Sequence, residues 1–346
     1  MEELREVIFH FYNICGKLFM WLLMKKIVIF GGGSGLSQLL KGIKLFPVEI
    51  TAVVSVADNG GSTGLLRREL KIPAVGDITK VMLSMADTNQ DVMDLMNYRF
   101  TKSKTLGIHS VKNLLLMALM DLKGNFASAM PVMEKLLDVK GNILPLTEDN
   151  VNLVGITSNG KKVIGEHQIT KCASKIVEVK YDKDIVVNPK VINAVKDADL
   201  IIFSSGSLLT SIVPHLIDKK LVDVINKAKG EKVYICNLFT QPGETDGFTV
   251  YDHIKYLEKY LGKGSIDVVI ANNEDISSDL AIKYRTEEQK DPVVLNMNEL
   301  RDKDIYVISD KLFTIEDGWY RHDALKTGYL LFSYLMDGRK WRLQLV

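Results

Sequence analysis

Glycine clusters placed directly after apolar runs are where this chain concentrates residues able to hold a phosphate. Ile27-Val28-Ile29-Phe30 leads into Gly31-Gly32-Gly33-Ser34-Gly35, and an amphipathic pattern (Leu36, Leu39, Leu40, Ile43) begins at once. Glycine has no Cβ to keep a phosphate off the backbone, and a following helix aims its N–H groups and positive dipole end at that spot. A diphosphate is therefore expected on the amides of Gly33, Ser34 and Gly35, with Gly32 shaping the turn. A second apolar run, Val53-Val54-Ser55-Val56, reaches Asp58-Asn59-Gly60-Gly61-Ser62. An acid at such a strand end meets a ribose hydroxyl in a doubly wound sheet, which makes Asp58 and Asn59 candidate ligands. The spacing is not the dinucleotide fingerprint. The third glycine of G-x-G-x-x-G falls on Leu36 or Gln38, and no G-x-x-x-x-G-K-[ST] exists either.

Two further loops follow apolar runs in the same way. Gly206-Ser207-Leu208-Leu209-Thr210-Ser211-Ile212-Val213-Pro214 follows residues 200–203, and Asn237-Leu238-Phe239-Thr240-Gln241-Pro242-Gly243-Glu244-Thr245 follows residues 232–236. Open α/β sheets bind ligands at the carboxyl ends of their strands, so these loops converge on one crevice. Gly206, Ser207, Thr210, Asn237, Thr240, Gln241, Glu244 and Thr245 join the candidate ligand-binding residues on that ground. Asp77, in Pro73-Ala74-Val75-Gly76-Asp77-Ile78, stands at a helix start, where a cap and a site acid look alike. Arg67 and Arg68, after the Asp58 turn, can reach an anion. The six histidines show no H-E-x-x-H and no G-x-S-x-G elbow exists, so metalloprotease and serine-hydrolase chemistry are not indicated. No metal and no cofactor is expected.

The elements that must position these residues alternate. Strand-like runs recur at residues 27–30, 50–56, 200–203, 232–236, 266–270 and 304–308, with helical periodicity at 77–86, 111–122, 131–137, 216–228 and 251–260. That alternation predicts an α/β fold, a three-layer αβα arrangement with a mostly parallel sheet. Between about 141 and 181 the period shifts, and residues 151–157 and 162–169 flank Ser158-Asn159-Gly160, a hairpin signal, so a small β-rich insertion is expected. No linker divides the chain. Residues 24–346 read as a single domain, and 1–23 as an N-terminal extension, either an upstream start or a peripheral helix.

Composition narrows the function classes. The 346 residues are 47% hydrophobic and 25% charged, with a net charge of +1, which gives no broad basic surface for a nucleic acid. Cys15, Cys172 and Cys236 lie far apart without a C-x-x-C pair, as in a reduced, cytoplasmic setting. His10, Asn13 and Lys17 interrupt the apolar stretch from Val7 to Leu23, and no small-residue cleavage site follows. Neither a signal peptide nor a stable membrane insertion is expected.

The ordered set of motifs resembles the bacterial gluconeogenesis-factor family (YvcK-like), relatives of the 2-phospho-L-lactate transferases (CofD-like). The resemblance runs through the glycine turn, Asp58–Ser62, Gly76-Asp77-Ile78, His109-x-x-x-Asn113-Leu114, both loops above and Arg321-His322-Asp323. It implies a Rossmann-like fold and binding of UDP-sugars such as UDP-N-acetylglucosamine. It also implies a role in cell shape and cell-wall precursor supply on gluconeogenic carbon, without an established reaction. Self-association and a protein partner are left open. The transferase branch instead moves a phospholactyl group from a guanosine diphosphate carrier to a deazaflavin, with the aspartate matching Asp77 helping hold the acceptor. Asp77 and Asn113 are accordingly the candidate catalytic residues. Arg321 is expected to open the last helix and face the crevice, its fork suited to a diphosphate or a uracil carbonyl. The chain departs from the family pattern at Thr79, Ile108, Lys112 and Ser204, where an arginine and glycines are usual. A dinucleotide-dependent oxidoreductase is the remaining alternative, and the failed glycine spacing counts against it.

Overall fold

Short Val- and Ile-rich strands buried on both faces need helices above and below them, and this chain supplies both. The computed structural model describes residues 24–60, 64, 74–103, 106–172, 174–301, 303–316 and 318–338. The N-terminal extension at 1–23 lies outside the described residues, as do Gly61, Ser62, Arg67 and Arg68. The strands are β1 (Lys25–Gly31), β2 (Val48–Val54), β3 (Asn142–Pro145), β4 (Leu153–Thr157), β5 (Lys162–Ile164) and β6 (Ile176–Tyr181). They continue with β7 (Leu200–Phe203), β8 (Glu231–Ile235), β9 (Val268–Asn272), β10 (Tyr306–Asp310), β11 (Phe313–Glu316) and β12 (Trp319–His322).

Seven of them form one parallel sheet in the order β10-β9-β8-β7-β1-β2-β3. Side chains alternate across it: Ile27 and Ile29 join the core on one face, Val28 and Phe30 the core on the other. β1 lies between β2 and β7, so the chain leaves β1 toward one edge and β7 toward the other. The loops after β1 and β7 part there, and a crevice opens at the switch point. The Rossmann-like expectation holds.

Three local expectations need correction. The small antiparallel sheet, β5-β4-β6, begins at Leu153 rather than near 141, because Asn142–Pro145 pairs in parallel with Thr51–Val54 as an edge of the main sheet. The second hairpin arm stops at Ile164, since Gly165 (φ +101°) turns the chain into a short helix, Glu166–Thr170. Arg321 does not open the last helix. It sits in β12, opposite Thr314 of β11, and Asp323 caps the helix Ala324–Asp337 by accepting the Lys326 N–H at 2.9 Å.

That last helix is pressed against the Gly33–Ile43 helix by two glycines. A Cβ on Gly42 would lie 1.7 Å from the Ala324 carbonyl oxygen, and one on Gly328 would lie 2.8 Å from the Gly42 carbonyl carbon. Close approach of the two backbones delivers the β11–β12 hairpin to the crevice, where Gln38 Nε2 donates to the His322 carbonyl at 3.0 Å.

Candidate functional site

The four glycines after β1 divide into two pairs with different work. Gly31 and Gly35 admit the loop after β7: a Cβ on Gly31 would meet Ser204 Oγ at 2.1 Å, and one on Gly35 the Ser205 carbonyl oxygen at 1.8 Å. Gly32 and Gly33 instead face Asp77, whose carboxylate oxygens would lie 3.0 and 3.6 Å from added Cβ atoms. Gly33 has φ +56°, which a side chain disfavours. From behind, His215 Nε2 donates to the Gly31 carbonyl at 3.0 Å. Burial pushes that imidazole down to about 4, so it braces the turn as a neutral ring.

Asp77 is not a cap. It lies in the first turn of the Val75–Met85 helix, whose N-cap is Ala74, and accepts the Gly33 N–H. One amide expected to carry a diphosphate is therefore engaged by an internal carboxylate. Burial, with Asp58 and Glu166 adding to it, pushes the Asp77 carboxyl up to about 7 against the opposing pull of Lys80. Lys80 itself donates to Ser34 Oγ at 2.6 Å.

The loops after β7 and β8 hold each other by side chains that resemble ligand contacts in sequence. Asn237 accepts the Gly206 N–H at 2.8 Å and donates to its carbonyl at 2.7 Å. Thr240 Oγ1 accepts the Asp291 N–H, and Thr245 Oγ1 accepts the Gln241 N–H. Ser207 Oγ donates to Glu244 at 2.7 Å, and Thr210 Oγ1 donates to Ser207 Oγ at 2.7 Å. Asn59 Oδ1 accepts the His167 N–H at 3.0 Å, which ties the small sheet's helix to the Asp58 loop. That bond brings in Glu166, a site residue the sequence did not indicate, whose carboxylate also meets Thr210 Oγ1 at 3.4 Å.

Glu244 is buried, and burial pushes its carboxyl up to about 7 despite the Ser207 and Leu209 hydrogen bonds. The folded state then holds a proton that the unfolded chain releases near the ordinary glutamate value. Its contribution to stability falls as pH rises through that interval and levels off above about 7. Glu244→Gln should therefore gain on the parent in melting temperature from pH 5 to 8. A parent–variant difference that stays constant with pH would refute the assignment.

A cavity of about 240 Å³ opens beside this bracing. Ser34, Gly35, Gly206, Ser207, Asn237, Thr240, Gln241 and Arg321 all border it, whereas Gly32, Gly33, Asp58, Asn59, Asp77, Thr210, Glu244 and Thr245 do not. Its far wall is aromatic: Phe239 stacks on Tyr284 at 4.0 Å and 9°, with Tyr320 at 5.8 Å from Phe239. Arg321 is exposed, and among the described residues no carboxylate pairs with it; Nη1 meets only the Tyr320 carbonyl at 3.4 Å. His322 lines the cavity with both ring nitrogens shielded from water and without a partner among the described residues. Burial pushes it down to about 4, leaving one donor and one acceptor at neutral pH. Tyr284 and Lys290, also on this wall, carried no sequence signal, because neither belongs to a loop that follows a strand of the switch point. A larger cavity, about 410 Å³, lies between β3 and the helices Phe126–Leu136 and Pro189–Asp197 and holds none of the candidate residues.

The family described as 2-phospho-L-lactate transferase CofD matches residues 27–313, from the first strand to the start of β11. The chain belongs to the CofD family. Gluconeogenesis factor of Bacillus subtilis is 42% identical over 313 residues, which cover 90% of this chain and 98% of that protein. Gluconeogenesis factor of Halalkalibacterium halodurans is 39% identical, covering 87% and 94%. A crystal structure of a Bacillus halodurans protein superposes with a TM-score of 0.85 at 38% identity, covering 89% of this chain and 99% of that one.

This CofD-family chain absorbs its departures locally. Thr79, in place of the usual arginine, donates to Asn113 Oδ1 at 2.8 Å inside the protein, so Asn113 acts as a joint between two helices. Ser204 Oγ fills the space above Gly31 and donates to the Ser205 carbonyl. Ile108 stands exposed, and Lys112 Nζ donates to Asn97 Oδ1 at 2.7 Å. Among the described residues no helix is long and apolar enough to cross a membrane.

Proposed function

We propose that the crevice binds a UDP-sugar, UDP-N-acetylglucosamine above all, and that the protein is a cytoplasmic regulator of cell shape and cell-wall precursor supply during growth on gluconeogenic carbon. One observation carries this reading: the helices Gly33–Ile43 and Val75–Met85 both start beside the glycine turn without a side-chain cap. Asn89, Asn125, Asn188, Asp218, Thr249 and Asp323 cap helices elsewhere, each accepting an N–H of its own first turn, though the helices that follow Ser110, Gly165 and Ser277 are uncapped as well. Gly32 and Ala74, at the glycine turn, accept none. With the Gly33 N–H held by Asp77, the N–H groups of Ser34 and Gly35 suit the oxyanions of a diphosphate. Beside them the Phe239–Tyr284 stack offers a face to a base, and His322 and Arg321 offer hydrogen bonds to its edge or to phosphate. The carboxylates of Asp58 and Glu166, close to Asp77, are suited to sugar hydroxyls.

A second reading, transfer of a phospholactyl-type group from a nucleoside diphosphate carrier, draws on Asp77. A carboxyl held near neutrality over a glycine turn has the acidity of a general acid or base. A thermal-shift and calorimetry panel separates the two, because a ligand that binds only the folded state raises the melting temperature. UDP-N-acetylglucosamine should give the largest rise. A rise with GDP and with a deazaflavin instead would favour the transferase, and a rise with NAD alone would exclude both.

A further inference from the structure

Beside the glycine turn a further helix N-terminus collects positive charge that no ion pair among the described residues neutralises. Thr79 and Asn113, in the first turns of the Val75–Met85 and Val111–Lys123 helices, are joined by their buried 2.8 Å hydrogen bond. Lys80 and Lys112, their neighbours in sequence, therefore flank one joint. Lys80 reaches on to Ser34 Oγ in the first turn of a third helix. Arg99 bridges in antiparallel fashion to Ser110, and its Nη1 donates to the Ile108 carbonyl. All three cations thus bond neutral acceptors: a hydroxyl, a carbonyl and, for Lys112, the Asn97 amide oxygen. None forms an ion pair among the described residues. Asp77 faces Lys80, but it is engaged by the Gly33 N–H and pushed up to about 7, which makes it a weak counter-ion.

Three penalties coincide at this place. Lys112 stands in the first turn of a 13-residue helix, where the dipole disfavours a cation. Burial and the two neighbouring cations push its ammonium down to about 8. Ser110, at the N-cap of that helix, is 2% exposed, and its Oγ neither caps the helix nor finds another partner among the described residues. A bound oxyanion offsets all three, as counter-charge for the cations and as acceptor for the Ser110 hydroxyl.

We propose that the N-terminus of the Val111–Lys123 helix, with Lys80, Arg99 and Lys112, is a phosphate subsite for a second molecule, a small phosphomonoester bound beside the nucleotide. The 240 Å³ cavity borders Ser34 and Arg321 but none of these three cations, so the subsite adjoins the nucleotide pocket without belonging to it. The word second rests on the UDP-sugar reading; the phosphate site itself does not.

The test uses the full chain, with inorganic phosphate and UDP as separate probes in calorimetry at pH 7. Lys112→Gln should weaken inorganic phosphate at least about tenfold, the scale of one charge-assisted bond, and change UDP affinity less than about twofold. Lys112→Arg, which keeps the charge, should restore phosphate binding, and thermal melts of both variants confirm folding. Saturable phosphate binding that is unchanged in Lys112→Gln, or no saturable binding by the parent, overturns the subsite. Equal losses for phosphate and UDP would assign these cations to the nucleotide's own diphosphate and overturn the second molecule, with the nucleotide reading intact. Lys112-dependent phosphate binding without any UDP binding would support the subsite and sink the UDP-sugar reading instead.

Discussion

Gly35→Ala should destabilise the protein by about 3 kcal/mol or more, beyond the usual cost of overpacking with a side chain. The added methyl would sit 1.8 Å from the Ser205 oxygen, 2.5 Å from its carbonyl carbon and 3.0 Å from the Gly206 nitrogen. All three are backbone atoms, so no rotamer change can relieve the contact. Nor can the loop withdraw freely, because Asn237 grips Gly206 by both its N–H and its carbonyl, and Ser204 N–H is bonded to Phe30. Loss on this scale lowers the melting temperature by about 4 °C or more in a chain of this size. Gly32→Ala is the control. Its methyl would meet side chains rather than backbone, the end of Asp77 at 3.0 Å and Ser211 Oγ at 3.6 Å, and should cost under about 1 kcal/mol. Circular-dichroism melts of the pair decide the matter: if Gly35→Ala melts within about 2 °C of the parent, the two loops are not in backbone contact.

Arg321→Ala is expected to weaken UDP-sugar binding between about tenfold and a hundredfold, the range for removing a charged hydrogen-bond donor. The residue acts from a strand, not from a helix start. β12 presents it beside the aromatic wall, and Asp323, two residues on, supplies the cap that the Arg-His-Asp run suggests. Its guanidinium is exposed and unpaired among the described residues, so its donors are available and its removal should shift stability by less than about 1 kcal/mol. Arg321→Lys keeps the charge but loses the planar fork, and should recover only part of the affinity. Calorimetry showing parental affinity in Arg321→Ala would remove this strand from the binding site.

The sheet and its switch point were legible because they depend on pattern. Runs such as Ile27–Phe30 and Leu200–Phe203 can be buried on both faces only in a parallel sheet, and order along the chain then decides where loops diverge. The division of labour within the glycine turn was not legible. Whether a glycine admits a neighbouring loop, as Gly31 and Gly35 do, or faces a carboxylate, as Gly32 and Gly33 do, depends on Ser204, Ser205 and Asp77, which lie far along the chain. The hydrogen bonds that Asn237, Thr240 and Thr245 make within the protein were not legible for a related reason. A polar side chain in a loop after a strand has the same appearance whether it bonds a ligand or the next loop's backbone. The β11–β12 hairpin carried a signal in Gly318 between alternating aromatic and polar residues, but the helix cap at Asp323 drew its last residues into the wrong element.

The glycine contact between Gly42 and Gly328 sets the order in which the protein matures. One wall of the binding cavity follows β1 directly, while the facing wall, with Arg321 and His322, comes from far along the chain. A nascent chain can therefore complete most of the parallel sheet while its ligand pocket is still open on one side. Domains generally fold as their chains emerge, and contacts of long sequence separation form late. Only when the final helix leaves the ribosome and lands on the Gly33–Ile43 helix does the pocket close. Ligand recognition by this fold thus reports that the β11–β12 hairpin and the helix after it have docked.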